Sequence, residues 1–224
     1  MKIVVRVGGS VVGSPINAPM INRYVTLLKD WKNQGHDVVA VVGGGSLARE
    51  FIKVAAYLGL EEERRDWTAI HVSRLFAQLF VLSLGDAGCE TVPVSLDEAE
   101  ACVKKGKIVV MGGLRPGMTT DTVAVLIGER VKADLLVKGS NVDGIYTKDP
   151  QKYCDAKKMD KLSFEQLAGL FDAKQHKAGI NQIIDPEAVN ILAKIRLRTI
   201  VVDGYDTANL VFAVEGRQVG TVIE

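Results

Sequence analysis

Apolar residues fall into short continuous runs separated by stretches where they recur every three or four positions. Ile3–Val7, interrupted only by Arg6, and Val38–Val42 are such runs and read as buried strands. Each ends in glycine, as Gly8-Gly9-Ser10 and Gly43-Gly44-Gly45. Between them Ile21, Val25, Leu28 and Trp31 keep helical spacing, with Asn17 as the candidate N-cap and Gly35 as the stop. Leu47, Phe51, Val54, Ala55 and Leu58 mark the next amphipathic helix, stopped by Gly59. A charged patch over Glu61–Asp66 precedes a long helix predicted from Trp67 to Leu84.

The second half repeats the alternation. Strands are predicted at Thr91–Val94, Ile108–Met111, Leu135–Lys138, Thr199–Val202 and Val219–Ile223. Helices are predicted after the capping box that starts at Ser95, and over Thr120–Val131, Phe164–Phe171, Pro186–Ile195 and Thr207–Val214. Asp185-Pro186 supplies an N-cap followed by proline at the first helical position. Residues 139–161 are turn-rich. Helices alternating with continuously apolar strands indicate an α/β fold with a mostly parallel sheet covered on both faces. In such sheets ligands lie at the carboxyl ends of the strands, where the glycine clusters fall.

Composition narrows the chemistry. Lysine and arginine number 28 against 27 acids, a net charge of +1, which argues against a nucleic-acid binder. The apolar share of 47% and charged share of 25% suit a folded globular chain rather than a disordered one. No apolar run approaches the length of a membrane span, and the start lacks the pattern of a signal peptide. The three cysteines, Cys89, Cys102 and Cys154, form no CxxC pair, so reduced thiols and a cytoplasmic setting are expected. His36, His71 and His176 are scattered, and no histidine metal site is expected.

Glycine is the outlier, with 22 residues. A glycine after a buried strand lets the chain turn sharply and lets another group approach the backbone. Bare N–H groups that lead into a helix make an anion site. One cluster is explained by a tight turn. Three clusters, with Gly112-Gly113 and Gly117 as the third and Gly139-Ser140-Asn141 beyond them, suggest more phosphates than one mononucleotide carries. No GxxxxGK[ST] is present, which disfavours a P-loop kinase. Gly43–Ala48 does match the looser dinucleotide form GxGxxA, but the strand ending in an acid that should follow that helix is replaced by Glu61–Asp66.

Taken together, the motifs resemble the amino acid kinase superfamily and, within it, the archaeal-type uridylate (UMP) kinases. The matching pieces are Val7–Ser10, Val42–Gly45 with Ala48-Arg49, Met111–Gly113 through Pro116-Gly117, Thr119-Thr120-Asp121, and the most specific, Asn141–Pro150 (NVDGIYTKDP). The resemblance implies a three-layer αβα sandwich around a mostly parallel sheet. It implies one domain over 1–224, with an acceptor-binding lobe to about 115 and an ATP-binding lobe from about 116. The implied activity is transfer of the ATP γ-phosphate to UMP, with Mg²⁺ carried by ATP, UTP as feedback inhibitor and a homohexamer as the assembly.

The resemblance also implies roles. Gly9, Ser10, Gly45, Ser140, Asn141, Tyr146 and Asp149 match ATP contacts, and Arg49 matches a contact to the ATP phosphates. Gly44 faces UMP, Asp66 matches the UMP-binding aspartate, and Leu114, Arg115, Pro116, Gly117, Met118, Thr119 and Thr120 correspond to the UMP-binding loop. Leu114 and Arg115 stand where Thr and His are more usual, so their side-chain contacts need not carry over. Arg6 stands where much of the superfamily has lysine. A charge at the end of a core strand is costly unless paired, which favours a place for it in the site. Asp121 and Asp185 are acids near the catalytic centre of the family, and N-capping already accounts for Asp185. Asp66 has an alternative as N-cap of the helix starting at Trp67. Arg74, two turns beyond Trp67, could point toward the same UMP site, but only periodicity supports that; it is left unassigned, with a solvated or paired surface arginine as the default.

Two rival functions remain. One is a kinase of the same fold acting on a carboxylate, carbamate or isopentenyl phosphate. The other is a binding or storage protein that keeps the ATP loops without catalysis. Asp66 and Thr119-Thr120 favour a nucleotide acceptor, since a small carboxylate needs no ribose partner.

Overall fold

Five of the predicted strands align in parallel at the centre of the molecule. The structure, a computed structural model, describes residues 1–150, 152–172 and 183–224. His176 lies outside them. Strands β1 (Lys2–Val7), β2 (Asp37–Val42), β3 (Val109–Met111), β4 (Leu135–Ser140), β5 (Ile145–Tyr146), β6 (Lys158–Met159), β7 (Lys161–Leu162), β8 (Thr199–Asp203) and β9 (Thr221–Ile223) follow one another along the chain. Helices α1 (Gly9–Gly13), α2 (Ala18–Asn33), α3 (Gly45–Tyr57), α4 (Glu62–Leu84), α5 (Leu96–Lys104), α6 (Thr120–Val131), α7 (Phe164–Asp172), α8 (Pro186–Ile195) and α9 (Thr207–Val214) fill the connections. The main sheet has the order β3-β2-β1-β4-β8-β9-β7, and β5 and β6 form a separate pair. Among the described residues, only the β8–β9 pairing in the main sheet is antiparallel.

Alternation along β1 builds the layers. Ile3, Val5 and Val7 join a core with residues of α1, α2, α4 and α9. Val4, on the opposite face, joins a second core with residues of α5, α6, α7 and α8. This is a three-layer αβα arrangement.

The predicted caps form. Asn17 Oδ1 accepts from Met20 N at 3.0 Å, and Asp185 Oδ1 accepts from Ala188 N at 3.0 Å. Ser95 Oγ accepts from Glu98 N, while the Glu98 carboxylate reaches back to Val94 N.

Four expectations are corrected. Thr91–Val94 forms no strand: Pro93 has no N–H to donate, and the sheet edge beside β3 is instead Gly88, bridged to Ile108. The long helix begins at Glu62 rather than Trp67. Its first turn carries Glu62 and Glu63, good helix formers that complement the positive end of the helix dipole. Asp66 therefore sits inside the helix and is not its N-cap. Extended in this way, α4 is long and apolar enough by composition to cross a membrane. Here it is a core helix: Phe76, Phe80 and Val81 are buried against α2 and the sheet. Finally, Cys89 and Cys102 are joined as a disulfide and only Cys154 is a free thiol, which overturns the expectation of three thiols. The bridge from Gly88 to Ile108 folds Cys89 back beside α5, a return that spacing in the sequence does not reveal.

Candidate active site

The glycine clusters all follow strands whose carboxyl ends lie on one edge of the sheet. There the structure opens two adjoining cavities. One, of about 560 Å³, is lined by Arg6, Gly8, Gly9, Ser10, Gly43, Gly44, Gly45, Arg49, Thr120, Asp121, Lys138, Ser140 and Asn141. The other, of about 500 Å³, is bordered by Ala48, Ile52, Asp66, Ala69, Ile70, Ser73, Gly113, Arg115, Gly117, Met118 and Thr119. Gly44, Gly45, Arg49 and Thr120 belong to both walls. The first cavity is charged and rich in backbone; the second has an apolar floor with Asp66 and Arg115 among its polar groups.

The first two glycine loops interlock. A Cβ on Gly9 would lie 2.1 Å from Gly45 N, and a Cβ on Gly45, whose φ is +62°, would lie 2.2 Å from Gly9 O. Gly9 and Ser10 start α1 and Gly45 starts α3. Their N–H groups belong to first turns, which leave donors without intrahelical partners. The N–H of Gly8 is not available in this way, because it donates to Gly139 O at 2.9 Å. Gly112, Gly139 and Gly144 line neither cavity. Gly112 packs on the backbone of α4, and Gly139 lies under the Tyr24 hydroxyl.

Strand register creates the charged floor. Arg6 on β1 pairs with Lys138 on β4, on the face that carries Val4 and Leu136 toward α6. Two like charges side by side on one face repel. Asp121, in the first turn of α6, lies between them: its Oδ1 is 2.6 Å from Arg6 Nε and its carboxylate 2.5 Å from Lys138 Nζ. Arg6 also donates to Thr120 Oγ1 at 2.9 Å and to Val7 O at 3.2 Å. Burial opposes ionisation of Asp121, but the charges of Arg6 and Lys138 overcome it and hold the carboxyl below the usual aspartate value. Burial also disfavours the Lys138 ammonium; Asp121 works against this and Arg6 with it, and the pKa is pushed down to about 8. Two cations against one carboxylate leave a local positive excess facing the glycine loops, an arrangement suited to neutralising a polyphosphate.

Around the second cavity the hydrogen bonds are specific. Asp66 Oδ2 accepts from Gly117 N at 2.8 Å. Thr119 Oγ1 caps α6 by accepting from Asp121 N and Thr122 N, and it donates to Asp185 Oδ2 at 2.5 Å. The Thr119 hydroxyl is thus committed within the protein, whereas Thr120 Oγ1, which accepts from Arg6, donates to no acceptor among the described residues. Asp185 ties the start of α8 to the start of α6 through Thr119 and Thr122.

A profile of the Amino acid kinase family matches residues 1–203. The chain belongs to the amino acid kinase family. Among family members it is 43% identical to the uridylate kinase of Methanocaldococcus jannaschii, with both chains covered in full. The crystal structure of uridylate kinase from Archaeoglobus fulgidus superposes with a TM-score of 0.88 at 38% identity, again over the whole of both chains. A UMP kinase structure from Bacillus anthracis shares the fold, with a TM-score of 0.83 at 19% identity over 100% of this chain and 95% of that one.

For this family member, the structure brings most residues picked out in the sequence to the two cavities. Leu114 and Pro116 lie in the loop over the second cavity without lining it. Tyr146 and Asp149 line neither cavity; the Tyr146 hydroxyl donates to Asp143 Oδ1. Sequence reasoning missed Lys138. Its signal was the one used for Arg6, a lone charge near the end of a buried strand.

Proposed function

We propose that the chain is a uridylate kinase, transferring the γ-phosphate of ATP to UMP to give UDP and ADP. The observation that carries this is the wall shared by the two cavities. Gly44, Gly45, Arg49 and Thr120 stand where a phosphate from each side would meet. Full-length similarity to uridylate kinases supports the choice of acceptor. In the proposed arrangement ATP occupies the charged cavity, held by Gly9, Ser10, Gly45, Arg49, Ser140 and Asn141, with Tyr146 and Asp149 toward its adenosine end. UMP occupies the other, with Gly44 near its phosphate, the base over Ile52, Ala69, Ile70 and Met118, and the loop Leu114–Thr120 around it. The acceptor lobe would run to about residue 115 and the donor lobe from there on.

Phosphoryl transfer needs alignment and charge neutralisation more than covalent help. Arg6, Lys138 and Arg49 would stabilise the negative charge on the transferring group, with Asp121 fixing the first two. Mg²⁺ would arrive with the ATP phosphates and keep several waters; among the described residues no cluster of three metal-binding side chains exists. Exposed Phe51 and Val54 on α3, with Leu58 just past its end and Leu75, Leu79 and Leu82 on α4, support assembly of several copies through these helices. The proposed feedback inhibitor is UTP; a cytoplasmic setting loses the support it had from reduced thiols, since Cys89 and Cys102 are bridged.

The direct test is formation of UDP and ADP in equal amounts from ATP, Mg²⁺ and UMP; absence of UDP would overturn the assignment. Asp66 is assigned to the ribose hydroxyls of UMP. Asp66→Asn is therefore expected to raise KM for UMP at least about tenfold while that for ATP holds, because a carboxylate accepts from two hydroxyls better than an amide does. Equal changes in both would defeat the role. The Lys138 ammonium predicts a pH limb: kcat/KM for ATP falls as pH rises through about 8, where the free enzyme loses this proton. Lys138→Arg should carry that limb to higher pH, since guanidinium stays charged.

A further inference from the structure

Arg74 has no place in the chemistry above, yet it makes two directed hydrogen bonds to the loop that borders the second cavity. It lies one residue beyond Asp66, Ala69, Ile70 and Ser73, the α4 residues that line that cavity at helical spacing. Its Nε donates to Gly113 O at 2.9 Å and its Nη2 to Leu114 O at 3.0 Å. Its guanidinium stands 5.8 Å from the centre of the Trp67 ring, a cation–π contact that limits its swing. Next to it, Ser73 Oγ accepts from Gly113 N at 2.8 Å while donating to Ile70 O. A Cβ on Gly112 would come within 2.6 Å of Arg74 N, so the loop backbone lies directly on the helix there.

These contacts have a geometric consequence. In a trans peptide the C=O and the N–H point to opposite sides. Fixing the carbonyls of Gly113 and Leu114 on Arg74 turns the N–H groups of Leu114 and Arg115 away from it. Neither N–H has a hydrogen-bond partner among the described residues. A planar guanidinium can hold two successive carbonyls at once, which a lysine ammonium does less well.

We infer that Arg74 is a positioning residue for the acceptor nucleotide: it holds Gly113 and Leu114 of the loop on α4 and presets the N–H of Arg115, a residue of the cavity wall, as a donor to acceptor oxygens. This rests on the assignment of the second cavity to UMP. Because side chains at 114 and 115 are then not the reading groups, the departure from the usual Thr and His there is tolerated.

The test compares Arg74→Met and Arg74→Lys with the parent protein by three readouts. These are amide exchange at Gly113 and Gly117 without ligand, UMP binding by calorimetry, and KM for each substrate. For Arg74→Met, exchange at Gly113 should speed up about tenfold or more, and UMP should bind about tenfold more weakly with KM for ATP unchanged. Arg74→Lys should fall between Met and the parent. Unchanged exchange at Gly113, or unchanged UMP affinity in Arg74→Met, would overturn the inference. So would equal rises in both KM values with a fall in melting temperature, the mark of a merely structural role. Failure of the parent protein to bind UMP would instead sink the acceptor assignment, and exchange at Gly113 would still decide the tether.

Discussion

Gly9→Ala is expected to abolish phosphoryl transfer, with at least about a 100-fold loss of turnover. The added methyl would sit 2.1 Å from Gly45 N and 2.8 Å from Gly43 C, and both are backbone atoms that cannot swing aside. The two loops must part, and displacement of the order of an ångström separates donor phosphates from acceptor. Gly45→Ala should do the same from the other side, with its methyl against Gly9 O and with a positive φ that alanine adopts only under strain. The control is Gly169→Ala in α7, where a Cβ meets nothing within 4 Å. It should remain fully active and gain up to about 1 kcal/mol from helix propensity. Turnover beside far-ultraviolet circular dichroism distinguishes a displaced loop from an unfolded chain. Wild-type rates in Gly9→Ala would refute the interlock as the organising feature of the site.

The second large effect concerns the Arg6–Asp121–Lys138 group. Lys138→Met removes one cation and leaves Asp121 paired with Arg6, so the fold is expected to survive. Turnover should fall by about 100- to 1000-fold, the usual effect of deleting one preorganised stabiliser of transition-state charge. KM for UMP should change little. Asp121→Asn behaves differently. It leaves Arg6 and Lys138 facing each other on adjacent strands without a counter-charge, and breaking a buried ionic group in this way costs about 3–5 kcal/mol. Its melting temperature should drop. ATP should restore more stability to Asp121→Asn than to the parent, because the ligand phosphates replace the missing anion. A Lys138→Met enzyme with normal turnover would remove the lysine from the mechanism.

Much of the fold was legible because its signals are local. Ile3–Val7 and Val38–Val42 are buried strands by composition, and Asn17, Ser95 and Asp185 cap helices through side chains that bond within four residues. The glycine loops were legible for the same reason, since each directly follows its strand. What escaped depends on partners distant in sequence. Nothing near Lys138 reveals that strand register sets it beside Arg6, and nothing near Arg74 reveals the carbonyls of Gly113 and Leu114 about 40 positions away. Thr119 matches the acceptor loop, and nothing near it reveals that its hydroxyl is engaged by Asp185, 66 residues on. The start of α4 was misplaced for a different reason: Glu62 to Arg65 are helix formers, but lacking apolar periodicity they looked like a surface patch.

The most direct measurement is kcat/KM for ATP-dependent ADP release with UMP, CMP, dUMP, AMP and isopentenyl phosphate as acceptors, at saturating Mg²⁺. The account predicts the highest value for UMP, a marked loss for dUMP, whose ribose offers Asp66 one hydroxyl fewer, and weak turnover of isopentenyl phosphate, which has none. Turnover of another acceptor in preference to UMP would contradict it, and so would absence of turnover with every member of the panel.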